Sequence, residues 1–102
     1  MSNSSNWFQR NKRLSNLGLA HRAGQVVSGD ELLVALKANQ VHFLFIANDA
    51  SEKTQARFIK SAQHKQILVN QEYCSKELSQ AIGKVNRMVL GITDKGFLKI
   101  LQ

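Results

Sequence analysis

Apolar residues recur along this chain in two alternating rhythms. Between residues 7 and 23 they fall at helical intervals. Leu14 and Leu17 share a face, Phe8 and Leu19 are expected to add to the buried surface, and Arg10, Lys12 and Arg13 stay in water. Gly24 follows as a left-handed C-cap. Residues 25–27 read as a short strand, and a second helix over 29–38 turns Leu32, Leu33 and Leu36 inward. Residues 41–47 form a nearly unbroken apolar run, the mark of a strand covered on both faces. His42 within that run reads as a satisfied structural histidine. The segment Asn48-Asp49-Ala50-Ser51 offers caps for a third helix over 52–64, burying Phe58, Ile59 and Ala62. A strand over 67–70 comes next. Ser75 is expected to cap a fourth helix that carries Leu78, Ala81 and Ile82 and stops at Gly83. A last strand over 88–93 and a closing helix over 94–101, with Phe97, Leu98 and Leu101 inward, complete the chain.

Helices alternating with about four short strands predict an α/β layered sandwich around a small central mixed sheet. With 102 residues the chain is long enough for one domain and too short for two. That domain is expected over 7–102, after a Ser/Asn-rich tail at 1–6 expected to be disordered.

The second helix opens on Ser28-Gly29-Asp30-Glu31. The Ser-x-x-Glu spacing is that of a capping box, in which the serine oxygen and the glutamate satisfy first-turn donors reciprocally. Gly29 keeps bulk away from the free N–H groups of that turn. Two roles fit these residues equally well: a helix cap, or a donor-rich surface with two acceptor side chains that meets a ligand closely.

Charge narrows the ligand. Lys and Arg number 14 against 7 Asp and Glu, a formal net charge of +7, which favours a polyanionic partner. Arg10, Lys12, Arg13 and Arg22 precede Gly29 with no acid among them. Lys53, Arg57, Lys60 and His64 recur at i, i+4, i+7 and i+11, a row that also suits an ordinary wet helix face. The loop Gly83-Lys84-Val85-Asn86-Arg87 sets two cations and an amide beside a glycine. It reads either as a helix C-cap matching the dipole or as a binding loop. Because phosphates would repel Asp30 and Glu31, in a nucleic-acid binder these carboxylates would face base edges while cations hold the backbone.

Catalytic signals are poor, and no enzymatic role or cofactor is expected. Gly83-Lys84 lacks the rest of a P-loop. His21, His42 and His64 are scattered and Cys74 is the single cysteine, which leaves no metal-ligand spacing and no disulfide. Asp30 and Glu31 are adjacent and diverge by about 100° on a helix, so they form no preset acid/base pair. The polar N-terminus and the short apolar runs predict neither a secretory signal nor a membrane partner, and the expected location is the cytoplasm.

Several separated motifs resemble a known family. The segments 16–24 (NLGLAHRAG) and 27–31 (VSGDE), the junction 46–51 (IANDAS), and the segments 78–84 (LSQAIGK) and 91–97 (GITDKGF) occur in the order found in small bacterial YlxQ-type proteins. These belong to the L-seven-Ae superfamily of kink-turn RNA-binding ribosomal proteins, and the likeness covers about residues 14–100. It implies a three-layer α-β-α sandwich that binds kinked RNA with sheared G·A pairs beside a short bulge, acting on ribosomal or other structured RNA in translation, as a monomer and with the ribosome as a partner. Carried over, it assigns Gly29, Asp30 and Glu31 to base recognition and Gly83, Lys84, Val85, Asn86, Arg87 and Met88 to the bulged nucleotides. Archaeal members have Asn-Glu where this chain has Asp30-Glu31, and a lysine where it has Val34-Ala35. Lys37 is the nearest substitute. The alternative is a ribosome- or translation-associated interaction protein that keeps the fold without kink-turn specificity.

Overall fold

The computed structural model describes residues 2–102, with side chains from Phe8 onward. The tail expected at 1–6 lies outside the fully described residues. The elements run α1 (Ser2–Arg22), β1 (Val26–Val27), α2 (Gly29–Lys37), β2 (Phe43–Ile46), α3 (Glu52–Lys65), β3 (Leu68–Asn70), α4 (Ser75–Ala81) and β4 (Val89–Ile92). A 3-10 turn, Lys95–Phe97, then leads into the short α5 (Leu98–Leu101).

The four strands form one mixed sheet in the order β1-β4-β2-β3. β4 is antiparallel to both β1 and β2, and β3 is parallel to β2. Alternation along β2 builds the layers. Phe43 and Phe45 point to one side with Leu17 and Ala20 of α1, Leu78 of α4 and Leu101 of α5. Leu44 and Ile46 point to the other with Leu32, Ala35 and Leu36 of α2 and Phe58 and Ala62 of α3. All four residues of β2 are therefore buried, as its unbroken apolar run requires. The result is the expected three-layer α-β-α sandwich.

Two glycines set the spacing between layers. A Cβ on Gly18 would stand 2.8 Å from the Ala81 carbonyl oxygen, so α1 and α4 approach backbone to backbone. A Cβ on Gly91 would stand 2.6 Å from Leu32 Cδ1 and 3.2 Å from both Val27 Cγ2 and Val41 Cγ1. Gly91 thus leaves a notch in β4, Leu32 fills it, and α2 is seated close on the sheet.

Phe8 and Leu19 are not buried: they are 61% and 48% exposed. Nine and two residues separate them from Leu17, which at about 100° per residue puts both on the opposite side of α1. Ala20 takes the expected place of Leu19 in the core. Two of the cations on α1 are committed to structure. The Arg10 guanidinium donates to both carboxylate oxygens of Glu77 at 2.9 and 3.0 Å and to the Glu72 carbonyl at 2.9 Å, and it lies 4.6 Å from the centroid of the Tyr73 ring. Arg13 donates to the Tyr73 hydroxyl and to the Gln102 carbonyl. Among the described residues no helix is long and apolar enough to cross a membrane.

Candidate nucleic-acid interface

The start of α2 is shaped by Gly29 rather than by a cap. Gly29 has φ +61°, in the left-handed region, and a Cβ there would meet nothing within 4 Å. The glycine is required by backbone conformation, not by space. Ser28 is extended and its side chain makes no cap hydrogen bond, so the expected capping box is not formed. The left-handed residue between the two partners turns the serine away from the first turn. The Glu-type reciprocal bond occurs on α4 instead. There Cys74, not Ser75, is the N-cap, and its N–H donates to Glu77 Oε1 at 3.0 Å.

The consequence for α2 is an unsatisfied first turn. Its free N–H groups stay available, and Asp30 and Glu31 are exposed and make no hydrogen bond or ion pair among the described residues. An uncapped helix end at the surface is held in water until a partner replaces it.

The second wall comes from the end of α4. Gly83 N–H donates to the Gln80 carbonyl at 3.2 Å and Lys84 N–H to the Ser79 carbonyl at 2.8 Å, with Gly83 at φ +69°. These bonds make a Schellman cap, so the structural role considered for this loop is real. The chain then doubles back through Asn86, at φ +56°, and is pinned by Ser79. The Ser79 hydroxyl, 3% exposed, accepts from Arg87 N–H at 2.8 Å. Pinning the backbone leaves the side chains outward: Val85 is 75% and Met88 40% exposed. Among the described residues the Lys84 side chain makes no hydrogen bond or ion pair, and the buried Arg87 Nε has no acceptor.

These walls enclose a groove of about 340 Å³ lined by Gly29 and Asp30 of the helix start, Asn86, Arg87 and Met88 of the loop, and Thr54 and Arg57 of α3. Asp30 and Arg87 are 57 positions apart in the chain yet share one surface. Glu31 looks to the other flank of α2, into a wider hollow of about 750 Å³ with Val34, Asn39, His42 and Thr93. Gly83, Lys84 and Val85 form the exposed rim of the loop. Lys37 is not in the groove. It lies at the far end of α2 and faces α3 beside Lys65. Thr54 and Arg57 were not among the expected site residues. The row Lys53, Arg57, Lys60, His64 carried the signal, but periodicity alone does not say which cation of a wet face borders a groove.

The chain is an α/β protein of the three-layer sandwich class, with an open helix start beside a basic loop, and solved structures share that fold. A 15.5kD RNA binding protein from Giardia lamblia superposes with a TM-score of 0.77 over 91% of this chain and 81% of that one, a likeness of fold alone at 14% identity. A protein of unknown function from Bacillus halodurans C superposes with a TM-score of 0.82 at 37% identity, over 88% of this chain and 92% of that one. No protein-family model matches the chain. Curated relatives do: the RNA-binding protein YlxQ of Enterococcus faecium is 36% identical over 91 residues, 88% of this chain and 87% of the relative. The RNA-binding protein YlxQ of Bacillus subtilis (strain 168) is 30% identical over 82 residues, 79% and 82% of the two. The chain belongs to the YlxQ family.

Proposed function

We propose that this chain is a non-enzymatic RNA-binding protein that recognises kink-turn motifs. The observation that carries this is the shared groove: an uncapped helix start with the Asp30 carboxylate on one side, Glu31 on the adjoining flank, and a pinned basic loop opposite. Asp30 and Glu31 accept hydrogen bonds from guanine amino and imino groups exposed at sheared G·A pairs. Arg57, Lys84 and Arg87 take the phosphates, and an RNA oxygen supplies the acceptor that Arg87 Nε lacks. Val85 and Met88 give unstacked bulge nucleotides an apolar surface. Binding selects the kinked form from the ensemble of the RNA. The relatives' name, RNA-binding protein, supports the RNA part. Ribosomal or other structured RNA in the cytoplasm, bound by a monomer in association with the ribosome, completes the proposal.

A second reading, the fold kept without kink-turn specificity, is favoured by one feature. Val34, 66% exposed, stands one turn into α2 where a cation would hold the RNA, and Lys37 faces α3. Titration against a kink-turn RNA and against the same RNA with its G·A pairs replaced separates the two. Tighter binding to the intact kink is expected, and equal affinity would leave the second reading. Glu31→Gln is expected to reduce that preference by about 1–3 kcal/mol, the range of a good base contact. Its melting temperature should stay unchanged, because Glu31 caps nothing here.

A further inference from the structure

The groove does not end at Arg57. Leu33, Arg57 and Phe58 also line a second hollow of about 250 Å³ that runs down the seam between α2 and α3, with Leu36, Lys37, Ser61 and Lys65. Its lining holds three cations and no carboxylate, in contrast to the helix start, where both α2 acids stand. The cations are pre-positioned. The Arg57 guanidinium lies 5.5 Å from the centroid of the Phe58 ring, whose face restricts it. Lys65 Nζ donates to Asn39 Oδ1 at 2.8 Å, tying the end of α3 to the end of α2. From Gly29 to Lys37 the seam runs roughly 12 Å at 1.5 Å per residue, enough for successive phosphates of one strand.

We propose that this α2–α3 cleft is a phosphate track: Lys37, Arg57 and Lys65 hold the backbone of the RNA stem that carries the G·A pairs, as it leaves the groove. The proposal rests on the RNA-binding function above and extends its footprint. Charge and continuity select the occupant. A polyanion leaving the groove past Arg57 meets a continuous acid-free seam, whereas the opposite flank of α2 offers it Asp30 and Glu31. Lys37 serves this track and not the helix start, which accounts for its distance from Asp30.

The test compares two kink-turn RNAs, one with the stem ending just past the G·A pairs and one with that stem extended by about half a helical turn. The wild-type protein is expected to bind the extended RNA about tenfold more tightly at low salt, with a steeper salt dependence. In the triple variant Lys37→Ala, Arg57→Ala, Lys65→Ala both RNAs should bind more weakly, because Arg57 also takes a groove phosphate, and the difference between them should vanish. A gain that persists in the triple variant, or no gain in the wild type, overturns the track. Replacing the G·A pairs distinguishes the two proposals. If affinity ignores that replacement but the stem-length gain is still lost in the variant, the track stands and kink-turn recognition falls. Should the triple variant fail to fold, Arg57→Gln and Arg57→Lys decide. Loss of part of the gain in Gln, restored in Lys, supports the track, and equal behaviour of both with the wild type overturns it.

Discussion

A methyl group at position 29 would touch nothing, yet Gly29 is among the least replaceable residues of the molecule. Its φ of +61° costs other L-residues about 1–2 kcal/mol. Gly29→Ala is therefore expected to lower the melting temperature by roughly 4–8 °C per kcal/mol, and Gly29→Asn by less, since Asn tolerates this region. Thermal melts of the pair check this: equal losses would mean that space, not backbone conformation, is what the glycine supplies. Ser79 is the matching residue on the other wall. Ser79→Ala leaves the Arg87 N–H without its 2.8 Å acceptor in a buried setting, at a cost of about 1–3 kcal/mol. It is expected to weaken RNA binding as well, because the loop loses the bond that turns Val85 and Met88 outward. Denaturant melts and RNA titration of one variant measure both effects. The sequence pointed to Ser28-Gly29-Asp30-Glu31 as the informative residues but misjudged how they act. A Ser-x-x-Glu spacing describes a capping box only when the residues between are right-handed, and a sequence does not display the sign of φ at a glycine.

At the scale of elements, the seating of α2 depends on Gly91. Gly91→Ala drives a Cβ to 2.6 Å from Leu32 and 3.2 Å from two stiff valines, an overpacking cost of about 1–3 kcal/mol. Combined with Leu32→Ala, which alone opens a cavity worth about 2–5 kcal/mol, the loss should be smaller than the sum. An additive double-mutant cycle would show that the two residues do not share the notch. Asp49 joins the β2–α3 junction to α4, its carboxylate accepting from both the Ser75 N–H and the Ser75 hydroxyl at 2.8 Å. Those bonds, the backbone one first, hold the Asp49 carboxyl below its usual value of 3.8. A depressed folded pKa stabilises above the unfolded value and is lost as pH falls through the folded one. The contribution should be full at neutral pH, begin to fade near 3.8 and be gone once the pH is below the depressed folded value. Asp49→Asn should flatten that part of the stability profile, measured by unfolding across the acid range. The elements themselves were legible because each obeys a local rule. The 41–47 run is apolar throughout since both faces of β2 are covered, and Gly24 and Gly83 mark helix ends. The third-helix caps were half legible: Ser51 does cap α3, accepting from Thr54 N–H at 3.1 Å, but Asp49 reaches 26 positions ahead to α4. Phe8 and Leu19 misled because their hydrophobicity was weighed before their angle around α1.

Across the whole molecule the +7 charge is distributed unevenly in function. Arg10 and Arg13 hold the 72–77 segment and the C-terminal carbonyl, so they are stabilisers first. Beside α2, Lys37, Lys84, Arg87 and Arg57, the last stacked on Phe58, carry no carboxylate partner among the described residues. RNA affinity is accordingly expected to fall with salt in proportion to the phosphates these residues neutralise, by a slope of roughly 0.7–0.9 per contact. Lys84→Ala should reduce that slope by about one contact. Arg10→Ala should leave the slope unchanged while lowering stability. Equal changes in both slopes would mean that charge acts through the whole surface rather than through the groove. Composition foretold a polyanionic partner, but it could not separate structural from free cations, because that division is made by contacts 60 or more residues apart.

The pair of bonds between Asp49 and Ser75 also divides the molecule in a way that bears on its tolerance of insertions. They fasten together two points 26 positions apart, and everything between them, α3 and β3 included, is a ring closed at its neck. Length changes at the left-handed Gln66 turn, on the side of the ring away from the neck, are absorbed inside it and do not propagate to α4 or to the loop that follows. An insertion at that turn is therefore expected to leave the helix start of α2 and the 83–88 loop in place.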